Sequence, residues 1–173
     1  GFLLQLSRDI APAVAKRLSM FVLRAKVKVA DASGEWTQSG LWGPGAADRL
    51  AALGMPVPAG DLAVAQTADA VVVRIAQQRF LLMATAVLRE RLPGNSDDDA
   101  WALEEIRAGR PLVVQATQDL FVPQMVNLER LGAVDFKKGC YPGQEIVART
   151  QYRGVLKRRM VRARVATVAA AGG

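Results

Sequence analysis

One stretch of this chain carries most of its information: residues 137–149, which read KKGCYPGQEIVAR. Proline is well tolerated in the first turn of a helix, where its missing N–H loses no hydrogen bond. A short helix is therefore predicted from Pro142 to about Gln151, with Cys140, the only cysteine of the chain, at its N-terminus. Helix N-termini and neighbouring lysines both favour an anion, so this position favours a thiolate. The alternative is that Cys140 is a small buried hydrophobic residue, as most lone cysteines are.

The positive charge of the chain is concentrated in and after this stretch. Of the 23 basic and 16 acidic residues, nine basic and one acidic lie within 137–164, which leaves 14 basic and 15 acidic residues elsewhere. A local basic patch suits an anionic ligand or nucleic acid. A solvated basic strand explains Arg158 to Arg164 equally well.

The composition excludes several classes of function. Histidine is absent, so Cys–His and Ser–His nucleophile pairs cannot form within the 173 residues, and a zinc site would lack suitable ligands. A single cysteine cannot form an internal disulfide, and charged residues interrupt every apolar run before it reaches the length of a membrane span. We expect a monomeric cytoplasmic protein with one main core, no bound metal and no membrane partner.

The pattern along the rest of the chain predicts an α+β fold with interleaved helices and antiparallel strands. Helices are predicted at residues 12–20, 46–53, 85–91 and 96–109, and strands at 1–6, 21–29, 35–41, 71–75, 79–83, 113–116 and from 155 onward. Ser96 is the predicted N-cap of the fourth helix, and three aspartates follow it in the positive first turn. Capping explains these aspartates better than a metal site does. Because the first and last residues lie within predicted strands, we expect the chain to be a fragment.

Several short motifs occur in a fixed order between Val122 and Arg159. They are Pro123-Gln124-Met125-Val126-Asn127-Leu128, Lys138-Gly139-Cys140-Tyr141-Pro142-Gly143-Gln144-Glu145, Ala148-Arg149 and Tyr152-Arg153-Gly154. This order closely resembles the YgfZ family of folate-binding proteins, which are relatives of the glycine-cleavage T-protein, an aminomethyltransferase. Weaker matches lie upstream, at residues 23–27, 40–43 and 101–109. The resemblance covers nearly the whole chain but not a whole family member.

The resemblance implies an aminomethyltransferase-like fold, in which three domains surround a central hole that holds tetrahydrofolate or a related folate. On that basis residues 1–153 would form the folate-binding region, without its N-terminal part, and residues 154–173 would begin a C-terminal β-barrel domain. It also implies an accessory role in assembly or repair of iron–sulfur clusters, in client enzymes that include tRNA-modifying ones. An alternative is a folate-dependent aminomethyl or one-carbon transferase. No residue of the chain stands out as the catalytic acid of such a transferase, which favours the accessory role over enzymatic turnover.

The same resemblance makes Cys140 the functional thiol. Amide and carboxylate side chains suit the donors and acceptors of a pterin ring, and cationic side chains suit the carboxylates of the glutamate tail. The predicted folate-binding residues are Lys138, Gln144, Glu145, Arg149, Asn127 and Arg153. Alternatively, Glu145 and Arg149 simply pair with each other, since they are four residues apart on a helix. Direct RNA binding is not expected, because the basic residues of the predicted strand lack interleaved aromatics.

Overall fold

A computed structural model describes residues 1–92 and 97–166. The chain divides into two compact units, of which one comprises residues 11–97 and the other residues 1–10 together with 98–173. Within the described residues, no helix has both the length and the hydrophobicity needed to cross a bilayer.

The unit of residues 11–97 is built on an antiparallel sheet of four strands within its described part. The strands are β1 (Trp36–Trp42), β2 (Val64–Gln66), β3 (Ala70–Ala76) and β4 (Arg79–Thr85), in the spatial order β1-β4-β3-β2. The β3–β4 hairpin turns at Gln77 and Gln78, and Gln78 adopts a left-handed backbone with a φ of 54°. The predicted strands at 35–41, 71–75 and 79–83 are confirmed, as is the α+β class with antiparallel pairing.

The core of this unit lies between the sheet and two helices, α2 (Ala46–Ala52) and α3 (Ala86–Arg89). Ala46 and Leu50 are four residues apart, so they lie on one face of α2, and both are fully buried. They pack in one cluster with Val72 and Phe80, the fully buried residues at the centre of the sheet. The remaining members of the cluster are Ala70, Leu82, Ala84 and Leu88.

Glycines set the limits of α2, as the sequence predicts. Gly45 precedes the helix and Gly54 follows it, with φ angles of 73° and 72° that are unfavourable for residues with a Cβ. The remaining helix of this unit, α1 (Ala11–Ser19), also lies close to its predicted position. The predicted helix at 85–91 is confirmed as α3, which is shorter than predicted.

The unit of residues 1–10 and 98–173 contains α4 (Asp98–Arg107), a 3₁₀ helix (Pro123–Val126) and α5 (Gln144–Tyr152). Asp98 and Asp99 occupy the first turn of α4, and no group of acidic, cysteine or histidine residues suited to a metal ion occurs in the described ranges. Their position in the first turn agrees with capping as the role of these two aspartates. The predicted N-cap, Ser96, lies outside the described residues. Asp9 accepts a hydrogen bond from the backbone N–H of Gln115 at 2.8 Å, which joins the two separate parts of the unit.

The strand predicted at residues 21–29 is wrong. Leu23 has a φ of 42° and is 88% exposed, and the N–H of Ala25 donates to the carbonyl of Val22 at 2.8 Å in a turn. An alternating pattern describes two faces, but a strand also needs a neighbouring strand to satisfy its backbone groups. Residues 21–29 pair with none of the described strands.

Three further predicted strands are also wrong within the described residues: 1–6, 113–116 and the run from 155 to 166. Around Val114 a turn forms instead, because the Thr117 hydroxyl accepts the N–H of Val114 and donates to its carbonyl. Threonine side chains compete with strand pairing in this way. Within the described chain, residues 155–166 make a single backbone–backbone hydrogen bond, from the Met160 N–H to the Met125 carbonyl at 2.7 Å, rather than a ladder.

Candidate functional site

The cysteine motif forms a loop that leads directly into α5. Gly143, with a φ of 84°, precedes the first helical residue, Gln144. The predicted helix is therefore confirmed, but it begins two residues after Pro142. The side-chain oxygen of Gln144 accepts the N–H of Tyr141 at 3.3 Å, while the N–H of Gln144 donates to the carbonyl of Tyr141 at 3.3 Å. This reciprocal pair fixes the turn between the cysteine and the helix.

Cys140 is a free, exposed thiol four positions before the helix begins. The alternative of a buried structural cysteine is therefore wrong. Beside it, the Lys138 ammonium lies over the ring of Tyr141, 4.8 Å from the ring centroid, which is within the range of a cation–π contact. Tyr141 is thus contacted by Lys138, which precedes the cysteine in the chain, and by Gln144, which follows it.

An aromatic contact joins the start of the cysteine loop to the C-terminal end of α5. The rings of Phe136 and Tyr152 are 6.2 Å apart with an interplanar angle of 70°, an edge-to-face arrangement. Phe136 precedes the two lysines of the motif, and Tyr152 is the last residue of α5. The contact therefore brings the start of the cysteine loop close to the C-terminal end of the helix.

The outward face of α5 carries charged residues without ionic partners. Glu145 and Arg149 are exposed, and within the described parts of the chain neither forms an ion pair with the other or with a third residue. The alternative that these two residues simply pair is thus not borne out. Arg153, one turn further, is exposed as well. All three charged side chains are accessible to a ligand.

The inward side of α5 is attached to the 3₁₀ helix through Gln124. This side chain is 2% exposed, and its amide nitrogen donates to the carbonyl of Val147 at 2.8 Å. Val147 is the buried residue of α5. The amide oxygen of Gln124 is buried without a hydrogen-bond partner. Gln124 belongs to one of the family motifs that the sequence displays. Its hydrogen bond to the Val147 carbonyl could not be predicted from the sequence.

Asn127 is held in a polar cluster that we call the Arg159 latch: Asn127, Glu129, Arg159 and Met160. Arg159 donates to the side-chain oxygens of Asn127 at 2.7 Å and Glu129 at 2.6 Å. The amide nitrogen of Asn127 donates to the carbonyl of Met160 at 2.9 Å. Both ends of the Asn127 amide are therefore engaged in fixing the segment around residue 160.

The charge of Glu129 depends on the latch. Burial raises the pKa of its carboxyl, but the hydrogen bond and charge of Arg159 oppose this, and the pKa falls below its usual value of 4.5. One of its two oxygens is buried without a partner. Neither Glu129 nor Arg159 carried a signal for this pairing in the sequence, since they are 30 residues apart.

Comparison with known proteins identifies the relatives of the chain. No model of a protein family matches it. Curated proteins from three bacteria do match: Edwardsiella ictaluri at 33% identity over 171 residues, Serratia proteamaculans at 30% over 167, and Pectobacterium carotovorum at 33% over 167. Each is named tRNA-modifying protein YgfZ, and each alignment covers 91% of this chain. The chain belongs to the YgfZ family. It spans about half the length of these relatives, since 50% of each is aligned.

In this YgfZ-family chain the predicted site residues fall into two groups. Cys140, Glu145, Arg149 and Arg153 are exposed, and their side chains form no hydrogen bond or ion pair with other described residues, while Lys138 is exposed against Tyr141. By contrast, the side chains of Gln144 and Asn127 make hydrogen bonds within the protein. The three residues that sequence reasoning missed are Gln124, Glu129 and Arg159, and all of them connect distant segments.

Proposed function

We propose that this chain acts in tRNA modification, as the folate-binding part of an accessory protein that supports assembly or repair of iron–sulfur clusters in a subset of cluster enzymes. The name of its relatives supports the first part of the proposal. The observation that carries the rest is the arrangement of the cysteine loop. An exposed thiol lies next to accessible cations on a loop held by Tyr141 and by the Phe136–Tyr152 contact.

Folate is an anion through its glutamate tail, and the accessible side chains fit that chemistry. Arg149 and Arg153 are one turn apart and have no acidic partner among the described residues, so their guanidinium groups are available for tail carboxylates. Glu145, on the same helix, is an acceptor for pterin N–H groups. When bound, tetrahydrofolate would supply a reduced pterin able to carry a one-carbon unit. Asn127 is less suited to folate than its sequence position indicates, because its amide already bonds to Arg159 and Met160.

The role of Cys140 follows from its exposure. A thiolate can bind iron as a ligand or attack a disulfide, and both reactions need access from solvent. Within the proposal, the cluster belongs to the client enzyme, and the chain itself holds no metal. Two further parts of the proposal concern architecture: an aminomethyltransferase-like fold over residues 1–153, and a β-barrel domain that begins with residues 154–173. We also place the protein in the cytoplasm as a monomer.

Substitution of Cys140 tests the accessory role. In a bacterium that lacks its YgfZ-family protein, the gene encoding this chain should restore a tRNA modification made by a cluster enzyme, and Cys140→Ala should abolish that restoration. The variant should retain its melting temperature, because the thiol is exposed and forms no hydrogen bond or disulfide with other described residues. Ser33→Ala, at an exposed position in the other unit, is the matched control. Normal modification with Cys140→Ala would refute the proposal.

Calorimetry tests the folate part separately. Tetrahydrofolate should bind the chain weakly, and Arg149→Gln combined with Arg153→Gln should weaken that binding further, by about tenfold, as expected for loss of a charge-assisted contact. A reduced pterin without the glutamate tail serves as the control, because its affinity should not respond to these substitutions. Equal affinities of wild type and double variant for tetrahydrofolate would contradict the assignment. Turnover of an aminomethylated lipoyl carrier to methylene-tetrahydrofolate would favour the transferase alternative instead.

A further inference from the structure

The cysteine loop, α5 and residues 153–166 together present more positive charge than a folate can use. Within residues 137–164 eight basic side chains are exposed: Lys137, Lys138, Arg149, Arg153, Lys157, Arg158, Arg162 and Arg164. Across the described residues, none of the eight forms an ion pair. We call these eight side chains the basic surface. The glutamate tail of a folate has two carboxylates, which two or three cations satisfy.

The contacts within this unit bring the basic surface together from three segments of the chain. The Phe136–Tyr152 contact places the loop with Lys137 and Lys138 beside the end of α5. Gln124 attaches α5 to the 3₁₀ helix, and the Met125 carbonyl at that helix accepts the N–H of Met160. The cations of residues 153–164 are therefore tied to the same small framework as those of α5.

The Arg159 latch distinguishes Arg159, which has a structural role, from the exposed basic residues beside it. Arg159 is half-buried and bound to Glu129, whereas Lys157, Arg158 and Arg164 are exposed and unpaired within the described residues. Since residues 155–166 form no strand, the basic side chains are not one wet face of a sheet. The structure thus removes the alternative of a solvated strand, and with it the expectation that RNA binding would require aromatics along that strand.

We propose that the basic surface binds RNA, with tRNA as the partner; this inference rests on the proposed function. Cations without acidic partners release counterions when they contact phosphates, which is the main source of affinity for nucleic acids. Tyr152 lies between Arg149 and Arg153 in sequence and is 71% exposed, so its ring is available to stack on an unpaired base. Unstacked bases occur in the loops of a folded RNA, whereas duplex DNA does not offer them. The name of the relatives points to the same substrate class.

The number of phosphates that the basic surface contacts determines how steeply the affinity for tRNA falls with salt concentration. If half of the basic surface contacts phosphates, the logarithm of affinity should fall with the logarithm of salt concentration with a slope of about −3. Affinity for tRNA should then drop about 60-fold between about 50 and about 200 mM salt. Removing three contacting cations should bring the slope close to about −1.

Fluorescence anisotropy with an unmodified tRNA transcript and the full 173-residue chain tests this surface. The variant replaces three exposed cations, Lys157→Gln, Arg158→Gln and Arg164→Gln. The control removes the same charge from the other unit, with Arg24→Gln, Lys26→Gln and Lys28→Gln, all at exposed positions. The first triple variant should lose affinity and salt slope, and the control should keep both.

Three results would overturn the inference: no saturable binding at low salt, equal losses in the two triple variants, or equal affinity for duplex DNA or anionic vesicles. The last result would mark a general affinity for polyanions. Failure here is distinguishable from failure of the proposed function, because the readouts differ. Cys140→Ala should bind tRNA like wild type while failing to restore tRNA modification in the cell. Normal restoration by Cys140→Ala would remove the proposed function without changing the anisotropy result.

Discussion

The Arg159 latch yields a prediction whose size can be worked out from the structure. Glu129→Ala removes the carboxylate that accepts from Arg159 at 2.6 Å and leaves Asn127 as its remaining side-chain partner. A hydrogen bond to a charged group contributes about 1.5–3 kcal/mol. The side chains of Arg159 and Glu129 are 30% and 15% exposed, so solvent screening reduces this contribution to roughly 1.4 kcal/mol, just below that range. That free energy corresponds to about a tenfold change in the equilibrium for opening the latch.

Hydrogen exchange at the Met160 amide reports on this opening directly, because its N–H donates to the Met125 carbonyl at 2.7 Å. In Glu129→Ala the protection factor of Met160 should fall about tenfold. Amides of the β3–β4 hairpin, in the other unit, serve as the internal control and should keep their protection. The Arg159→Met variant, and the double variant with Glu129→Ala, complete a cycle that isolates the pair from its surroundings. Unchanged protection of Met160 in Glu129→Ala would refute the reasoning.

The latch should also respond to acid, with a definite sign. The pKa of Glu129 is lowered in the fold, so the carboxylate stabilises the folded protein fully above its unfolded value of 4.5. This stabilisation is lost as the pH falls below 4.5 and through the folded pKa. After correction for intrinsic exchange rates, the protection of Met160 should therefore decrease over that range in wild type and stay level in Glu129→Ala. A wild-type profile as flat as that of the variant would show that Glu129 does not titrate with the latch.

Two further substitutions test the fold itself by chemical denaturation. Phe80→Ala removes a fully buried ring from the core and should lower the free energy of unfolding by about 3–5 kcal/mol, whereas Val87→Ala, at an exposed position of α3, should change it little. Gly143→Ala should destabilise by about 1–2 kcal/mol, since its φ of 84° suits glycine and no atom lies within 4 Å to clash with a Cβ. Gly34→Ala, which has open space and no left-handed φ, is the control; equal effects at the two glycines would contradict the backbone argument.

Elements with local signals were predictable from the sequence. Two glycines with left-handed backbones flank α2, and the β3–β4 hairpin combines apolar runs with a short polar turn. The alternating residues 21–29 carry a similar local pattern but form no strand, because strand formation depends on a partner elsewhere in the chain. A period-2 pattern therefore identifies a strand only where a neighbour is available to pair with it.

The same distinction between local and long-range features applies to the candidate site. The helix after Pro142 and the accessible cations could be predicted, since helix initiation and charge are properties of nearby residues. The bond from Gln124 to Val147 spans 23 residues, and the pair Arg159–Glu129 spans 30. Such contacts are decided by tertiary packing, which a single sequence does not display. Asn127 shows the consequence: its residue type suits a ligand, but tertiary contacts use its amide.

The contacts that anchor α5 and the exposed side chains of the candidate site belong largely to different residues. Val147 and Tyr152 hold α5 against Gln124 and Phe136, and Gln144 fixes the turn that precedes the helix. Substitutions at Val147 and Gln144 should act first on stability and only through it on function, whereas Tyr152 combines its contact with Phe136 and an exposed ring. The side chains of Cys140 and Arg149, in contrast, are exposed and form no hydrogen bond or ion pair with other described residues, so their substitution should leave stability unchanged. The exposed Cys140 thiol thus lies next to Tyr141 in the chain without taking part in the contacts that hold the loop.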